Sequence, residues 1–202
     1  HHGVPISAIV FGGRRTHLAP LVYESFNWQH GVFVGATMAS ELTAAQVGKI
    51  GQIRRDPMAM LPFCGYNMSN YFRHWLDMGK RMAKAPKIFH VNWFRTDEQG
   101  EFLWPGFREN LRVLEWILDR CDNKVAAGVK TPVGYIPRPS DIDMTGLELS
   151  RGSMDKLLTI NKNDWVEELK GIKDFFRKFG RDLPPELWQE YEELKKRLGS
   201  DE

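Results

Sequence analysis

Cysteine is scarce in this sequence, with only Cys64 and Cys121 among 202 residues. Two lone thiols cannot supply a disulfide framework or a cysteine-based zinc site. Long apolar runs are missing as well, and none approaches the ~18–20 residues of a membrane-spanning helix. Charge of one sign is not in excess: 28 Lys+Arg stand against 26 Asp+Glu. That balance argues against a generic polyanion binder and leaves only local clusters. The sequence has no internal repeat, no low-complexity tract, no G-x-x-x-x-G-K-[ST] phosphate loop, no nucleophile elbow and no H-x-x-x-H pair. No basic-then-apolar leader pattern is present, so the expectation is a soluble cytoplasmic protein with neither membrane nor nucleic acid as partner.

What is present is core material. At 42% hydrophobic and 12% aromatic content, a chain of this length fills a core and is not disordered. His1 and His2 read as the remnant of a tag, and residues 3–202 as one unit. Three apolar runs, Ile6 to Phe11, Gly31 to Met38 and Lys87 to Phe94, read as buried strands. Helical spacing predicts a helix within Tyr66 to Met82. A second is expected from Phe107, with Leu111, Leu114, Leu118 and Cys121 on its apolar face. From Asn163 the residues Trp165, Leu169, Ile172, Phe176 and Phe179 predict a third, stopped by Gly180. Pro184-Pro185 opens a last helix that buries Leu187, Tyr191, Leu194 and Leu198 and ends at Gly199. Its outer face offers Glu192–Lys196 and Glu193–Arg197 pairs. Val125 to Gly152 reads as irregular or short-strand connection, and Leu42 to Gln52 as a loop. The fold class is mixed α/β (α+β), with a mixed sheet and a helical C-terminal third.

Three segments carry possible chemistry. Six aromatics fall within the 19 residues from Phe89 to Phe107, mostly at strand ends or around Pro105-Gly106. Rings clustered at turns can wall a slot for a flat base, and polar groups such as Asn110 then read the base edge. The competing reading is that these rings fill the core between sheet and helix. Gly12-Gly13-Arg14-Arg15 follows a strand, where a guanidinium can grip phosphate or carboxylate; an ordinary surface arginine is the alternative. The Ala- and Gly-containing segment from Glu41 to Gly51 suits either a lid or a plain surface loop. The histidines have no metal-site spacing, His90 reads as a satisfied core residue, and both cysteines read as small buried hydrophobes.

The motifs Phe11-Gly12-Gly13-Arg14-Arg15, Trp28 to Ala36, Asp56 to Met60, Phe63 to Asn67, Phe89 to Phe94 and Phe102 to Phe107 resemble, in order, the GTP-dependent phosphoenolpyruvate carboxykinases. The likeness covers roughly the last third of that family's chain and implies the C-terminal part of its nucleotide-binding domain. It implies a lyase that turns oxaloacetate and GTP into phosphoenolpyruvate, GDP and carbon dioxide in gluconeogenesis or anaplerosis. By resemblance, Phe94 and Phe107 wall the guanine, Phe102 lines its edge, and Asn110 contacts it within the run Phe107-Arg108-Glu109-Asn110. Arg14 matches a catalytic arginine on the nucleotide phosphates. Thr43, Ala44, Ala45, Gln46, Val47, Gly48 and Lys49 match the family's Ω-shaped lid.

Thr16 stands where many members carry proline, and a change in turn stiffness is expected. The phosphate loop and the ligands for Mn2+ and Mg2+ belong to a part of the family's chain outside this sequence. Oxaloacetate and phosphoenolpyruvate are therefore expected as partners only with that part, and these 202 residues alone are expected to be inactive. Cut free of it, they are expected to associate, for instance as a domain-swapped oligomer. The alternatives are a non-catalytic guanine-nucleotide or RNA-base-binding module, or an inactive fragment.

Overall fold

The structure, a computed structural model, describes residues 3–43, 51–149 and 151–200. In chain order these form β1 (Ala8–Gly12), β2 (Val22–Glu24), α1 (Trp28–Ala36), β3 (Ala39–Glu41), β4 (Ile53–Arg55), α2 (Met68–Arg81) and β5 (Lys87–Val91). They continue with α3 (Asn110–Cys121), β6 (Val129–Thr131), β7 (Gly134–Ile136), α4 (Arg151–Leu158), α5 (Lys162–Arg177) and α6 (Pro185–Leu198). Five strands build one sheet in the order β1-β5-β2-β7-β6. β1 runs parallel to β5, and the other pairings are antiparallel. β3 and β4 form a separate antiparallel hairpin. This is the expected mixed α/β architecture.

Alternation along β5 assigns the two faces. Ile88 enters the core formed with α1, α2, α5 and α6, whereas Phe89 and Val91 enter the one formed with α3 and α4. Side chains of a strand point to opposite faces in turn, so helices cover both sides of the sheet.

The run Gly31 to Met38 is a correction: it lies mostly in helix α1, not in a strand. Asn27 caps that helix, its side chain accepting from the His30 N–H at 2.9 Å. The spacing of its two glycines explains the choice. A Cβ on Gly31 would stand 2.5 Å from the Ile88 side chain, and one on Gly35 would stand 2.7 Å from the Phe11 ring. Four residues apart, they form one smooth helix face that lies directly on β1 and β5. A short run buried all round has no amphipathic period to separate helix from strand.

The helix after Pro105-Gly106 is also corrected. It begins at Asn110, after a turn in which the Glu109 and Asn110 N–H groups both donate to the Gly106 carbonyl at 3.1 Å. Its buried residues are Val113, Trp116, Ile117 and Arg120. Phe107, Leu111, Leu114 and Leu118 are exposed instead. Arg120 is held inside because its Nε donates to Glu24 Oε2 at 2.7 Å and its Nη1 to the Val125 carbonyl at 2.7 Å.

The last two helices run as expected. Asn161 caps α5 and accepts from the Asn163 N–H at 3.0 Å. Leu187, Tyr191, Leu194 and Leu198 are buried on α6, which stops at Gly199 with φ 70°. The outer pairs differ from expectation: Lys196 bonds Glu193 at 2.8 Å, and Arg197 turns inward to the Pro132 carbonyl at 2.7 Å. Both cysteines are half-buried rather than buried. Each thiol donates to a carbonyl at 3.4 Å, Cys64 to Tyr66 and Cys121 to Ser7.

Candidate functional site

β1 ends in Gly12-Gly13, and Arg14 follows at a crowded joint. A Cβ on Gly13 would fall 2.4 Å from the Ala39 carbonyl oxygen. Only glycine lets β1 pass this close to β3. The Arg14 N–H donates to Ser40 Oγ at 3.2 Å, and its carbonyl accepts from the Glu41 N–H at 2.9 Å. Its backbone is thus locked to the β3–β4 hairpin. The guanidinium carbon lies 4.3 Å from the centre of the Phe94 ring and 5.9 Å from that of Phe102. Phe94 and Phe102 meet edge to face at 6.0 Å.

Asn92 sets Phe94 in place, and reading the sequence missed it. This fully buried side chain donates to the Arg15 carbonyl at 2.7 Å and to the Ala19 carbonyl at 2.9 Å. Its Oδ1 accepts from the Arg15 N–H at 3.3 Å and the Phe94 N–H at 3.2 Å. One amide therefore joins the segment after β1 to the segment after β5. Its signal was an amide between Val91 and Trp93 at the end of an apolar strand.

The neighbouring arginine has a different office. Arg15 is buried, with Nη2 2.7 Å from Glu168 Oε2, and the other oxygen of that carboxylate binds Arg55 Nη1. Burial pushes the Arg55 guanidinium below its ordinary range, and the Glu168 carboxylate counters that. Thr16, by both N–H and hydroxyl, donates to Glu41 Oε1, at 2.9 and 3.1 Å. A proline at position 16 would lack the first of these bonds, so more than turn stiffness differs there.

The six aromatics divide into two sets. Phe89 and Trp104 are core residues, as the competing reading held, at 0% and 1% exposure. Phe94 and Trp93 are half-buried, and Phe102 and Phe107 are exposed at 56% and 92%. Asn110 Oδ1 accepts from Trp104 Nε1 at 2.8 Å, which fixes the amide on that core indole. Glu109 is held by Arg112, whose Nη groups reach the Asp143 carbonyl at 2.6 Å and the Thr145 carbonyl at 2.9 Å. Arg108 is exposed with φ 80°, next to Gly106 at φ 82°. Of the expected lid residues, Ala44, Ala45, Gln46, Val47, Gly48 and Lys49 lie outside the described residues. Thr43 precedes them, and the Leu42 N–H donates to the Gln52 carbonyl at 2.9 Å.

His30 and His90 face inward, whereas His17 and His74 are exposed. His30 accepts from the Phe26 N–H at Nδ1, 3.0 Å away, and burial holds its pKa down at about 3. His90 stacks on Tyr23 at 5.1 Å, its pKa lowered to about 4 by burial and then by Arg15. It is a core histidine, but its Nδ1 has no hydrogen-bond partner, so it is not a satisfied one. Among the described residues, no group of three or more His, Cys, Asp or Glu is placed to hold a metal ion. The described residues therefore offer no ligand set that fits the divalent cations the resemblance implies.

Fold and site together define a mixed α/β unit, sheathed by helices on both faces, with Arg14, Phe94 and Phe102 clustered beyond the ends of β1 and β5. The family model "Phosphoenolpyruvate carboxykinase C-terminal P-loop domain" matches residues 1–197. The chain is 54% identical over 197 residues to phosphoenolpyruvate carboxykinase [GTP] of Thermoplasma volcanium, covering 98% of this chain and 33% of that one. It is 50% identical over 196 residues to the proteins of the same name from Chlamydia muridarum and Chlamydia trachomatis, covering 97% of this chain and 33% of each of theirs. The chain belongs to the GTP-dependent phosphoenolpyruvate carboxykinase family and spans about a third of the length of these relatives.

Proposed function

We propose that the cluster of Arg14, Phe94 and Phe102, together with the exposed ring of Phe107, binds a guanine nucleotide for a GTP-dependent phosphoenolpyruvate carboxykinase. The reaction is the conversion of oxaloacetate and GTP to phosphoenolpyruvate, GDP and carbon dioxide. The observation that carries the reading is Arg14. Its guanidinium sits beside the half-buried Phe94 and the exposed Phe102 and, among the described residues, pairs with no carboxylate. A planar base gains roughly 1–3 kcal/mol by stacking on such a ring. A guanidinium within reach of that base is suited to the phosphates attached to it.

In this reading Phe94 and Phe107 wall the base, Phe102 closes one edge, and the Asn110 amide reads the guanine edge from its anchor on Trp104. The run Arg108-Glu109 shapes the turn that carries Phe107. Thr43 to Lys49 serve as the lid, a role that the family likeness supports. The metal-dependent phosphoryl transfer belongs to residues outside this chain, so the 202 residues bind nucleotide without turning it over.

The same reading gives the exposed apolar faces a purpose. β1 is an edge strand whose Val10 is uncovered, as are the α3 residues Leu111, Leu114 and Leu118. In a longer chain the remainder covers them, and without it copies of this chain associate.

The test is a titration of GTP, ATP and single-stranded RNA followed by tryptophan fluorescence, with Trp104 as the reporter bonded to Asn110. Saturable binding that prefers GTP is expected. RNA binding with a steep salt dependence would replace this reading with a nucleic-acid module. No response to any of the three would leave an inactive fragment.

A further inference from the structure

We infer that Arg14 discriminates between a nucleotide and its bare nucleoside by occupying the base's own stacking surface until phosphate draws it away. The inference rests on the nucleotide reading above and concerns the order of events at the same site. Its basis is the place where the guanidinium sits. The carbon of that group is 4.3 Å from the Phe94 ring centre, the distance at which a planar cation covers an aromatic face. A base stacked on that face would occupy the same layer. Base and guanidinium therefore compete for one surface of Phe94.

The backbone of Arg14 does not move in this exchange. Ser40 and Glu41 hold its N–H and carbonyl, and Gly13 is wedged against Ala39. The side chain is free to turn. Among the described residues the guanidinium lies against the two rings and no carboxylate retains it. Arg15 next to it is the contrast, fixed by Glu168 and closed to any such movement. A ligand that carries phosphate offers the guanidinium charge-assisted hydrogen bonds stronger than its hold on the ring, so it leaves as the base enters. A nucleoside displaces the same cation and offers it nothing in return. The rings supply affinity for any base, and Arg14 makes that affinity conditional on phosphate.

The predicted signature is a pair of effects opposite in sign. In Arg14→Ala, guanosine binds roughly two- to five-fold more tightly, the factor that a cation–π contact of about 0.5–1 kcal/mol converts to. GDP binds about ten-fold more weakly, having lost its charge-assisted partner. Arg14→Lys, which keeps the charge but not the flat guanidinium, falls between wild type and Arg14→Ala for both ligands. Calorimetric titration of guanosine and GDP into the three proteins, each first verified as folded by circular dichroism, reads both effects. Guanosine affinity that is unchanged or weaker in Arg14→Ala, while GDP weakens, overturns the inference and leaves the nucleotide reading intact. Wild-type protein that binds neither ligand overturns both.

Discussion

Glu168 of α5 and Arg15 beyond β1 form an ion pair of 2.7 Å across 153 positions of chain, with side chains only 9% and 10% exposed. The same carboxylate holds Arg55 of β4, which also donates to the Thr37 carbonyl at 3.0 Å. One acid therefore ties the segment that carries Arg14, the β3–β4 hairpin and the helical third into one joint. Removing it leaves, among the described residues, Arg15 with only Glu41 at 3.8 Å and Arg55 with only the Thr37 carbonyl, and breaking a buried pair from one side costs about 3–5 kcal/mol. Glu168→Ala is expected to lose that much stability in urea denaturation, and Glu168→Gln less. A loss below about 1 kcal/mol for Glu168→Ala would mean that the joint is not a structural centre.

Gly13→Ala tests the close approach of β1 to β3. A Cβ there meets backbone at Ala39 rather than a flexible side chain, so one strand must shift. The expected destabilisation is about 1–3 kcal/mol, with GDP affinity reduced because Arg14 moves with the strand. Thermal unfolding and calorimetry on one preparation read both. Unchanged nucleotide affinity would separate the position of Arg14 from this contact.

Acid is expected to unfold the protein through its two buried imidazoles. Burial lowers the pKa of His90 from 6.5 to about 4 and that of His30 from 6.5 to about 3. Between those values and 6.5 the unfolded chain binds protons that the folded chain refuses, so stability falls as pH falls. Each ring contributes a slope of about 1.4 kcal/mol per pH unit well below pH 6.5. Glu190, its carboxyl pushed up by burial, acts in the opposite sense and offsets part of this loss. Denaturation midpoints should stay nearly level from pH 7.5 to about 6.5 and then decline toward pH 4.5, less steeply in His90→Gln. A flat profile would contradict the burial of these rings as neutral groups.

The uncovered stripe on α3 predicts self-association. Leu111 and Leu118 are each 58% exposed, so replacing Leu118 with Glu should change stability by no more than about 0.5 kcal/mol. Sedimentation of the wild type should show an associating species, and Leu118→Glu should shift it toward monomer. A monomeric wild type at high micromolar concentration would remove the assigned role of this face in association.

The parts legible in the sequence are those whose period and punctuation agreed. α5 and α6 carry one clean apolar stripe each, capped by Asn161 at the start of one and Gly199 at the end of the other. β5 read correctly because a β-branched and aromatic run followed Pro86. α1 did not, because residues 30–36 are buried on every side and glycine spacing, not polarity, decides its packing. On α3 two apolar stripes compete, and the core took Val113, Trp116 and Ile117 although a buried arginine, Arg120, lies in line with them. At the site, Arg14, Phe94 and Phe102 do lie together. Asn92 was hidden because the hydrogen bonds that give it meaning join segments 77 and 73 residues apart.

A crystal structure of the chain with GDP tests the central claim most directly. Guanine is expected stacked on Phe94, with the Arg14 guanidinium withdrawn from the ring and bonded to phosphate oxygens. Density for GDP elsewhere, with Arg14 still lying on Phe94 at saturating ligand, would contradict it.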